Sequence, residues 1–468
     1  MKYVMKFGGT SIEDGKKIRH VASLLNDYKK EGHQIVAVTS ALGGVTDGLL
    51  ENAIEASRKG KVPQIKEFMA NLAKKHYDAV EEAIDDSDTA DEVIEEIDAR
   101  IDELEKALIG ICYLGELTPR SIDYISSYGE RLAAPIISGA IQSFGTKSKA
   151  FTGGEAGIVT NSNYGKAIPL EKSYDNIEKI IGKIIDDHIP VVTGFIAENE
   201  DGIITTLGRG GSDYTASIIG AALKADEIWL WKEVHGVMTS DPRIVPDARP
   251  IMQISYIEAM ELSYFGAKVL HPRTIVPAIK HGIPVRVKNT FEPDFEGTLI
   301  VADQTRSEDV VKAVTLIRNV ASINISGAGM VGAIGTAARV FSALADAGVN
   351  IIMISQSSSE ANMSFVVHDR DLDIAMKALQ AELEKNSIAD VACDSNICVL
   401  AVVGAGMDGI PGVAGRVFGV LGREKINVIM ISQGSSQHNI SFVVSSDDAE
   451  DAVRALNREF GLGALLEE

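Results

Sequence analysis

The sequence predicts an α/β domain with a mostly parallel central sheet over residues 1–302, followed by two α+β, ferredoxin-like modules of βαββαβ order. Three observations lead to this reading. Short runs rich in Val and Ile alternate with periodic helical patterns along the first part of the chain, the order that builds a parallel sheet. Two glycine turns, at Gly8-Gly9 and at Gly208 to Gly211, each lie between an apolar strand and a helix. The C-terminal part repeats itself: Gly327-Ala328-Gly329-Met330 realigns with Gly404-Ala405-Gly406-Met407, a shift of 77 positions.

In chain order, Tyr3 to Met5 reads as a strand, Lys6-Phe7-Gly8-Gly9-Thr10-Ser11 as a turn and Asp14 to Lys30 as a helix. Gln34 to Thr39 is the next strand. From about 49 to 110 the chain is dense in Glu, Asp, Lys and Ala at helical spacing, which predicts a helical subdomain with a solvated face. Ser126-Ser127-Tyr128-Gly129-Glu130-Arg131 opens a further helix, and Pro190 to Thr193 is a strand. Gly202 to Leu207 feeds the turn Thr206-Leu207-Gly208-Arg209-Gly210-Gly211-Ser212-Asp213, which runs into the helical pattern Tyr214 to Leu223. Glu227 to Leu230 and Pro284 to Lys288 complete the strands; between them lie the proline-broken loop Gly236 to Arg243 and a helix end at Phe265 to Pro272.

Residues 303–318 form a polar linker and a first regulatory strand, Val310 to Ile317, followed by modules at 319–394 and 395–468. The repeat continues through Ala337 to Phe341 with Ala414 to Phe418, Ile352 to Gln356 with Ile429 to Gln433, and Asn362 to Val367 with Asn439 to Val444. A strand at Asp390 to Cys393 closes the first copy. The second fades after Glu459-Phe460-Gly461 without an obvious last strand, so one unit is expected to lend a strand to the other.

The 468 residues carry a formal charge of −21, with 45 % hydrophobic and 24 % charged residues. Such an acidic chain is a poor partner for nucleic acid or an anionic membrane, so any anionic ligand must be met by locally placed cations and backbone N–H groups. No apolar run approaches the length of a membrane span, and Met1-Lys2-Tyr3 enters a strand directly, which predicts a cytoplasmic protein. Cys112, Cys393 and Cys398 lack zinc or disulfide spacing and read as reduced packing thiols. The nine histidines show no ligand spacing; His235 and His271 sit beside motifs without an evident partner.

Glycine turns at helix starts let backbone donors approach phosphate oxygens closely. The first turn does not have P-loop spacing, because Lys6 precedes its glycines and no Gly-Lys-Ser/Thr closes it, and it is not a GxGxxG fingerprint. Two of them, each with a cation, point to a phosphoryl donor and an acceptor held face to face. Taken with Ser126 to Arg131, Gly236 to Arg243 and Phe265 to Pro272, in this order, the turns resemble the aspartokinase family of the amino-acid kinase superfamily, over the whole chain. The repeated units resemble tandem ACT domains, modules that bind amino acids.

The resemblance implies transfer of the γ-phosphoryl group of ATP to the side-chain carboxylate of L-aspartate, the first step toward lysine, threonine and methionine, with feedback inhibition through the ACT domains. Lys6 would lie against the transferring group, with the Gly8 and Gly9 N–H groups beside it. Arg209 would fork onto the substrate α-carboxylate, Glu130 would receive the α-ammonium, and Ser40, Thr46 and Ser212 would add hydroxyl contacts. Asp213 would orient the lysines. On the nucleotide side the same resemblance places Lys232, Glu233, Met238, Arg243 and Lys268. Many relatives have Trp-Thr-Asp where this chain has Trp231-Lys232-Glu233, and a tyrosine at Met238. Mg2+ would ride on the ATP phosphates, since no Asp pair resembles a dedicated cage. No homoserine dehydrogenase domain is expected after Glu468.

The effector pocket implied by the resemblance comprises Met330, Ala333, Asn350, Ile351 and Gln356. Lysine-sensitive relatives place an aspartate where Ile352 stands, and from Gly348 to Ser359 this chain has no acidic residue; Glu360 follows and could fold back toward the site. Threonine is therefore the favoured effector, because a buried ammonium without a carboxylate is costly. Exposed module edges predict a homodimer or homotetramer. A kinase acting on glutamate and an amino-acid sensor with an inactive kinase half remain the competing readings. The presence of Lys6, Glu130, Arg209, Asp213, Arg243 and Lys268 argues against the second.

Overall fold

A computed structural model of the chain describes residues 1–265, 270, 272–302, 310–327, 330, 334–356, 362–384, 390–434 and 437–463. Lys268, His271, Ala333, Glu360 and the linker at 303–309 lie outside the described residues. The chain divides into two units, one of residues 1–237, 252–256 and 269–302 and one of residues 238–251, 257–268 and 303–468.

The strands and helices run in the order β1 (Lys2–Phe7), α1 (Gly15–Lys30), β2 (Gln34–Thr39), α2 (Val45–Lys59), α3 (Val62–Ala83), α4 (Ser87–Leu114), α5 (Pro119–Ser126), α6 (Tyr128–Ser143), β3 (Ser148–Phe151) and β4 (Val159–Thr160). There follow α7 (Lys172–Ile180), β5 (Ile189–Thr193), β6 (Ile196–Asn199), β7 (Ile204–Thr206), α8 (Gly211–Leu223), β8 (Glu227–Lys232), β9 (Gln253–Ser255), α9 (Tyr256–Tyr264), α10 (Val276–His281), β10 (Val285–Asn289) and β11 (Thr298–Val301). The remainder is β12 (Ala313–Ser326), α11 (Thr336–Asp346), β13 (Ile351–Gln356), β14 (Asn362–His368), α12 (Leu372–Glu384), β15 (Asp390–Val403), α13 (Val413–Arg423), β16 (Met430–Ser432), β17 (Asn439–Ser445) and α14 (Ala449–Phe460).

In the first unit eight strands form one sheet in the order β3-β5-β2-β1-β8-β10-β11-β9. Every pairing is parallel except β10 with β11. Strands β1, β2 and β5 are almost wholly buried, which explains why they read as continuous apolar runs rather than alternating ones. The small sheet β4-β6-β7 stands beside them. Helix α1 starts where the Asp14 side chain accepts from Lys17 N at 2.8 Å and ends on Lys29 and Lys30, each charge suited to its helix end. The acidic helices α2, α3 and α4 bury one stripe, including Leu49, Met69, Ile97 and Leu104, in the same core as Met5, Phe7 and Ile35. Most of their charged side chains are exposed, and the region shares the core of the sheet rather than having its own.

Strand β1 pairs with β2 on one side and β8 on the other. Later strands are added on both sides of β1, with β2 and β5 on one side and β8 and β10 on the other, so the carboxyl ends Phe7, Thr39 and Trp231 border a switch point. In open parallel sheets, that is where ligands bind.

The second unit holds a six-stranded sheet in the order β13-β14-β12-β15-β17-β16. Its pairings are all antiparallel. The two copies of the repeat are joined through β12 and β15. The first half of β12, Ala313 to Ile317, pairs with Val399 to Val403 of the second copy, and its second half, Ser322 to Ser326, pairs with Asp390 to Asp394 and with β14. Val311 and Val314 accordingly pack in the core of the second copy, with Leu400 and Phe442. The first copy has a separate core of Ile323, Val340, Phe365 and Leu379. Within this unit α9 carries the buried Glu258, which pairs with Lys312 at 3.3 Å and accepts from Ala405 N at 2.8 Å.

Two readings of single residues change. Cys393 is exposed, not packed, because it lies on the outer part of β15; Cys112 is half-buried and Cys398 buried. His235 has a partner after all, Glu292 at 2.9 Å, contributed by a distant loop. Among the described residues no helix is long and apolar enough to cross a membrane.

Candidate active site

The carboxyl ends of β1 and β8 bring two lysines to one carboxylate. Phe7 and Trp231 are register partners and stack on one face of the sheet, with ring centroids 5.9 Å apart. Period-two alternation then sends Lys6 and Lys232 to the opposite face, where α8 lies. Lys6 Nζ stands 2.7 Å from Asp213 Oδ1 and Lys232 Nζ 3.2 Å from Asp213 Oδ2. Lys6 and Asp213 are buried, while Lys232 keeps 22 % of its side chain exposed.

Burial alone would push the Asp213 carboxyl up, but the two ammonium groups outweigh it and hold it below the usual range. Burial also draws Lys6 below the usual lysine range, against the pull of Asp213 and with the help of Lys232. Two cations on one anion leave a net positive charge in a chain that is otherwise strongly acidic. The cluster is suited to an anion with more charge than one carboxylate can balance.

The two glycine turns frame it. A Cβ on Gly8 would stand 3.8 Å from Lys6 Nζ, and one on Gly9 would meet Ala41 O at 3.0 Å, so the first turn passes directly over the lysine and the β2 loop. The second turn uses Gly208 at φ 80° and Gly210 at φ 72°, left-handed conformations that a side chain would resist. Gly210 is the N-cap of α8 and has no side chain to offer the first N–H groups. Gly211 N donates back to Gly208 O at 2.9 Å, and a helix start of this kind leaves its next N–H groups for a ligand or water. Arg209 is exposed on this turn and forms no ion pair among the described residues. Ser40 Oγ donates to Ser212 Oγ at 3.1 Å, joining the β2 loop to the start of α8.

Glu130 lies in the first turn of α6 and is buried. Desolvation pushes its carboxyl up to about 8, against the N–H groups of Glu130 and Ala41 and the charge of Lys6. Its Oε2 has no hydrogen-bond partner among the described residues. Gly129 explains how α6 comes this close: a Cβ there would stand 2.7 Å from Ala41 Cβ and 3.2 Å from Thr46 Oγ1. Thr46 thus lies against the helix start that carries Glu130.

Residues 1–289 match the amino acid kinase family, and residues 323–383 and 400–460 each match the ACT domain. The chain is 35 % identical to aspartokinase 1, chloroplastic, of Arabidopsis thaliana, over 98 % of this chain and 80 % of that protein. The chain belongs to the aspartokinase family.

With bifunctional aspartokinase/homoserine dehydrogenase 1, chloroplastic, of Zea mays it shares 34 % identity over 98 % of its length, and it spans 50 % of that longer protein. Escherichia coli aspartokinase III in complex with aspartate and ADP, the R-state, superposes with TM-score 0.80 at 27 % identity, covering 98 % of this chain and 99 % of that one. The same enzyme with lysine and aspartate, the T-state, gives 0.79 at 28 % identity, with the same coverage. The chain is an ATP-dependent kinase of a family with ACT-domain regulation.

The structure therefore gathers Lys6, Lys232 and Asp213, with Gly8, Gly9, Ser40 and Ser212 around them, and sets Thr46 against Gly129 beside Glu130. Glu233 is held at 3.8 Å from Lys17. Met238 and Arg243 belong to the second unit, where Arg243 forks onto Asp241 at 2.6 Å. In that unit Asn350 and Gln356 are exposed at the two ends of β13, Ile351 is half-buried on it, and Met330 is buried. Tyr264 of α9 donates to Ile351 O at 3.0 Å.

One residue escaped the sequence reading. Asp123 on α5 is buried and accepts from Gly165 N at 3.0 Å, Thr206 N at 2.9 Å and Thr206 Oγ1 at 2.7 Å. An aspartate amid the apolar positions of a short helix was the available signal.

Proposed function

We propose that the chain transfers the γ-phosphoryl group of ATP to the side-chain carboxylate of L-aspartate, giving 4-phospho-L-aspartate and ADP, at the head of the route to lysine, threonine and methionine. The observation that carries this reading is the Lys6–Asp213–Lys232 cluster between two glycine turns, with the buried Glu130 carboxyl close enough to act on Lys6 and the exposed Arg209 on the second turn. Both reactants are anions, so the site must screen repulsion and hold them in line. Lys6, the more deeply buried of the two lysines, takes the transferring group. Asp213 keeps both ammonium groups in place and does not act as a base, for the attacking carboxylate is ionised at neutral pH. Arg209 holds the α-carboxylate, Glu130 the α-ammonium, and Ser40, Thr46 and Ser212 supply hydroxyls. Lys232, Glu233, Met238, Arg243 and Lys268 serve the nucleotide.

Mg2+ enters on the ATP phosphates, where it neutralises charge. The described residues contain no cluster of three or more His, Cys, Asp or Glu side chains that could cage it. ADP release that depends on aspartate, and proceeds far more slowly with glutamate, is the expected result of a coupled assay. Equal rates with the two amino acids, or none with aspartate, would overturn the assignment.

The favoured effector is threonine, bound by Met330, Ala333, Asn350, Ile351 and Gln356. Ile352 is buried where an ammonium would need a carboxylate, and residues 348–356 contain no acid. Exposed Ile354, Ile429 and Ile431 on or beside the edge strands favour a homodimer or homotetramer formed through the modules. Threonine and lysine titrated separately against the kinase decide the effector, and inhibition by lysine alone would refute threonine.

A further inference from the structure

We propose that Asp123 is a positioning residue that sets the separation between the groups holding the substrate's α-ammonium and α-carboxylate, an inference that rests on the assignment of Glu130 and Arg209 above. Its carboxylate is 1 % exposed and is met by three neutral donors from two separate segments, Gly165 N, Thr206 N and Thr206 Oγ1. On one side Asp123 is joined to Glu130 through rigid backbone. Its own carbonyl accepts from Ser127 N at 3.1 Å, Ser127 Oγ donates to Tyr124 O at 2.7 Å, and α6 then begins with Tyr128 and reaches Glu130 within its first turn.

On the other side Asp123 is joined to Arg209. Thr206 ends β7 three residues before that arginine, and its carbonyl accepts from Ala167 N at 2.9 Å. Gly165, held by the same carboxylate, presses on the glycine turn: a Cβ on Gly208 would stand 2.9 Å from Gly165 O. A single buried carboxylate therefore clamps the element bearing one amino-acid anchor to the turn bearing the other. Hydrogen bonds to a buried charge are among the stronger ones, and the Asp123 carboxylate takes both the N–H and the hydroxyl of Thr206.

An α-amino acid presents its ammonium and carboxylate on one carbon, so both anchors can engage only at a narrow spacing. Loosening the clamp should then weaken aspartate and spare ATP. The test is steady-state kinetics on the full chain carrying Asp123→Asn, which keeps the shape but turns an amide N–H toward an N–H donor, and Thr206→Val, which removes only the hydroxyl bond. The expected result is a tenfold or greater rise in KM for aspartate with Asp123→Asn and a twofold to fivefold rise with Thr206→Val. KM for ATP should stay within twofold and kcat within threefold. If Asp123→Asn fails to fold, Thr206→Val carries the test alone. Equal changes in both KM values, or a fall in kcat with KM for aspartate unchanged, would overturn the positioning role. Arg209→Lys separates this failure from failure of the underlying assignment. If it raises KM for aspartate while neither clamp variant does, only the clamp is wrong; if it leaves KM for aspartate unchanged, the anchor assignment itself falls.

Discussion

Aspartate should bind this kinase with release of a proton, and Glu130 is the reason. Desolvation lifts its carboxyl to about 8, so at neutral pH the group is mostly protonated. An α-ammonium brought against it favours the ionised form, and the proton must leave. With that value, about 3 % of molecules carry the carboxylate at pH 6.5 and about half at pH 8.0. The dissociation constant for aspartate should therefore fall about 15-fold across that interval, with about 0.9 proton released per aspartate near pH 7. Calorimetric titrations in two buffers of different ionisation enthalpy measure the proton count directly. Glu130→Gln should bind aspartate weakly and lose the pH dependence. The same shift acts on stability: the folded state binds this proton more tightly than the unfolded chain, so the contribution is full below about 4.5 and is lost as pH rises through about 8. The melting temperature of wild type should drop more between pH 5 and pH 8 than that of Glu130→Gln. Wild-type affinity independent of pH over this range, with no proton released, would refute the assignment of Glu130 to the ammonium.

Three further outcomes follow from the same geometry. Lys6→Ala should lower turnover by about 10² to 10³, the loss typical of one preorganised charge donor, with melting temperature recorded alongside; turnover within tenfold of wild type would remove Lys6 from the reacting group. Arg209→Lys should raise KM for aspartate more than KM for ATP, because a point charge cannot replace a bidentate fork, and equal effects would place Arg209 outside the aspartate pocket. Gly129→Ala should destabilise the fold by about 1–3 kcal/mol, since its methyl would stand 2.7 Å from Ala41 Cβ, and a chemical denaturation curve unchanged in midpoint would show that α6 can move aside.

The glycine turns were legible in the sequence because a backbone requirement is written there as residue identity: Gly208 and Gly210 adopt left-handed angles that few other residues accept. The parallel sheet was legible for a similar reason, since β1, β2 and β5 must be apolar on both faces. What resisted reading is pairing across long separations. Nothing local in Lys6 says that Asp213 lies at 2.7 Å, nor in His235 that Glu292 comes to meet it. Resemblance supplied the first and missed the second. Asp123 was overlooked because its three donors come from the backbone and a hydroxyl, which leave no charge pattern to follow. The polar clamp is visible only once the segments are folded together.

The shared strands of the repeat matter for how the protein is made. Ala313 at the start of β12 pairs with Val403, so the ribosome must add 90 more residues before that partner exists. At roughly 5–20 residues per second this is a delay of about 5–18 s, during which Ala313 to Ile317 present an unpaired apolar edge. The chain spends that interval synthesising the rest of the first copy, β13 and β14 included, which can shelter only the second half of β12. Nascent chains stalled within residues 327–389 should thus attract holding chaperones and mispair with one another, and synonymous changes that slow translation there would lower the yield of native enzyme without altering a single side chain.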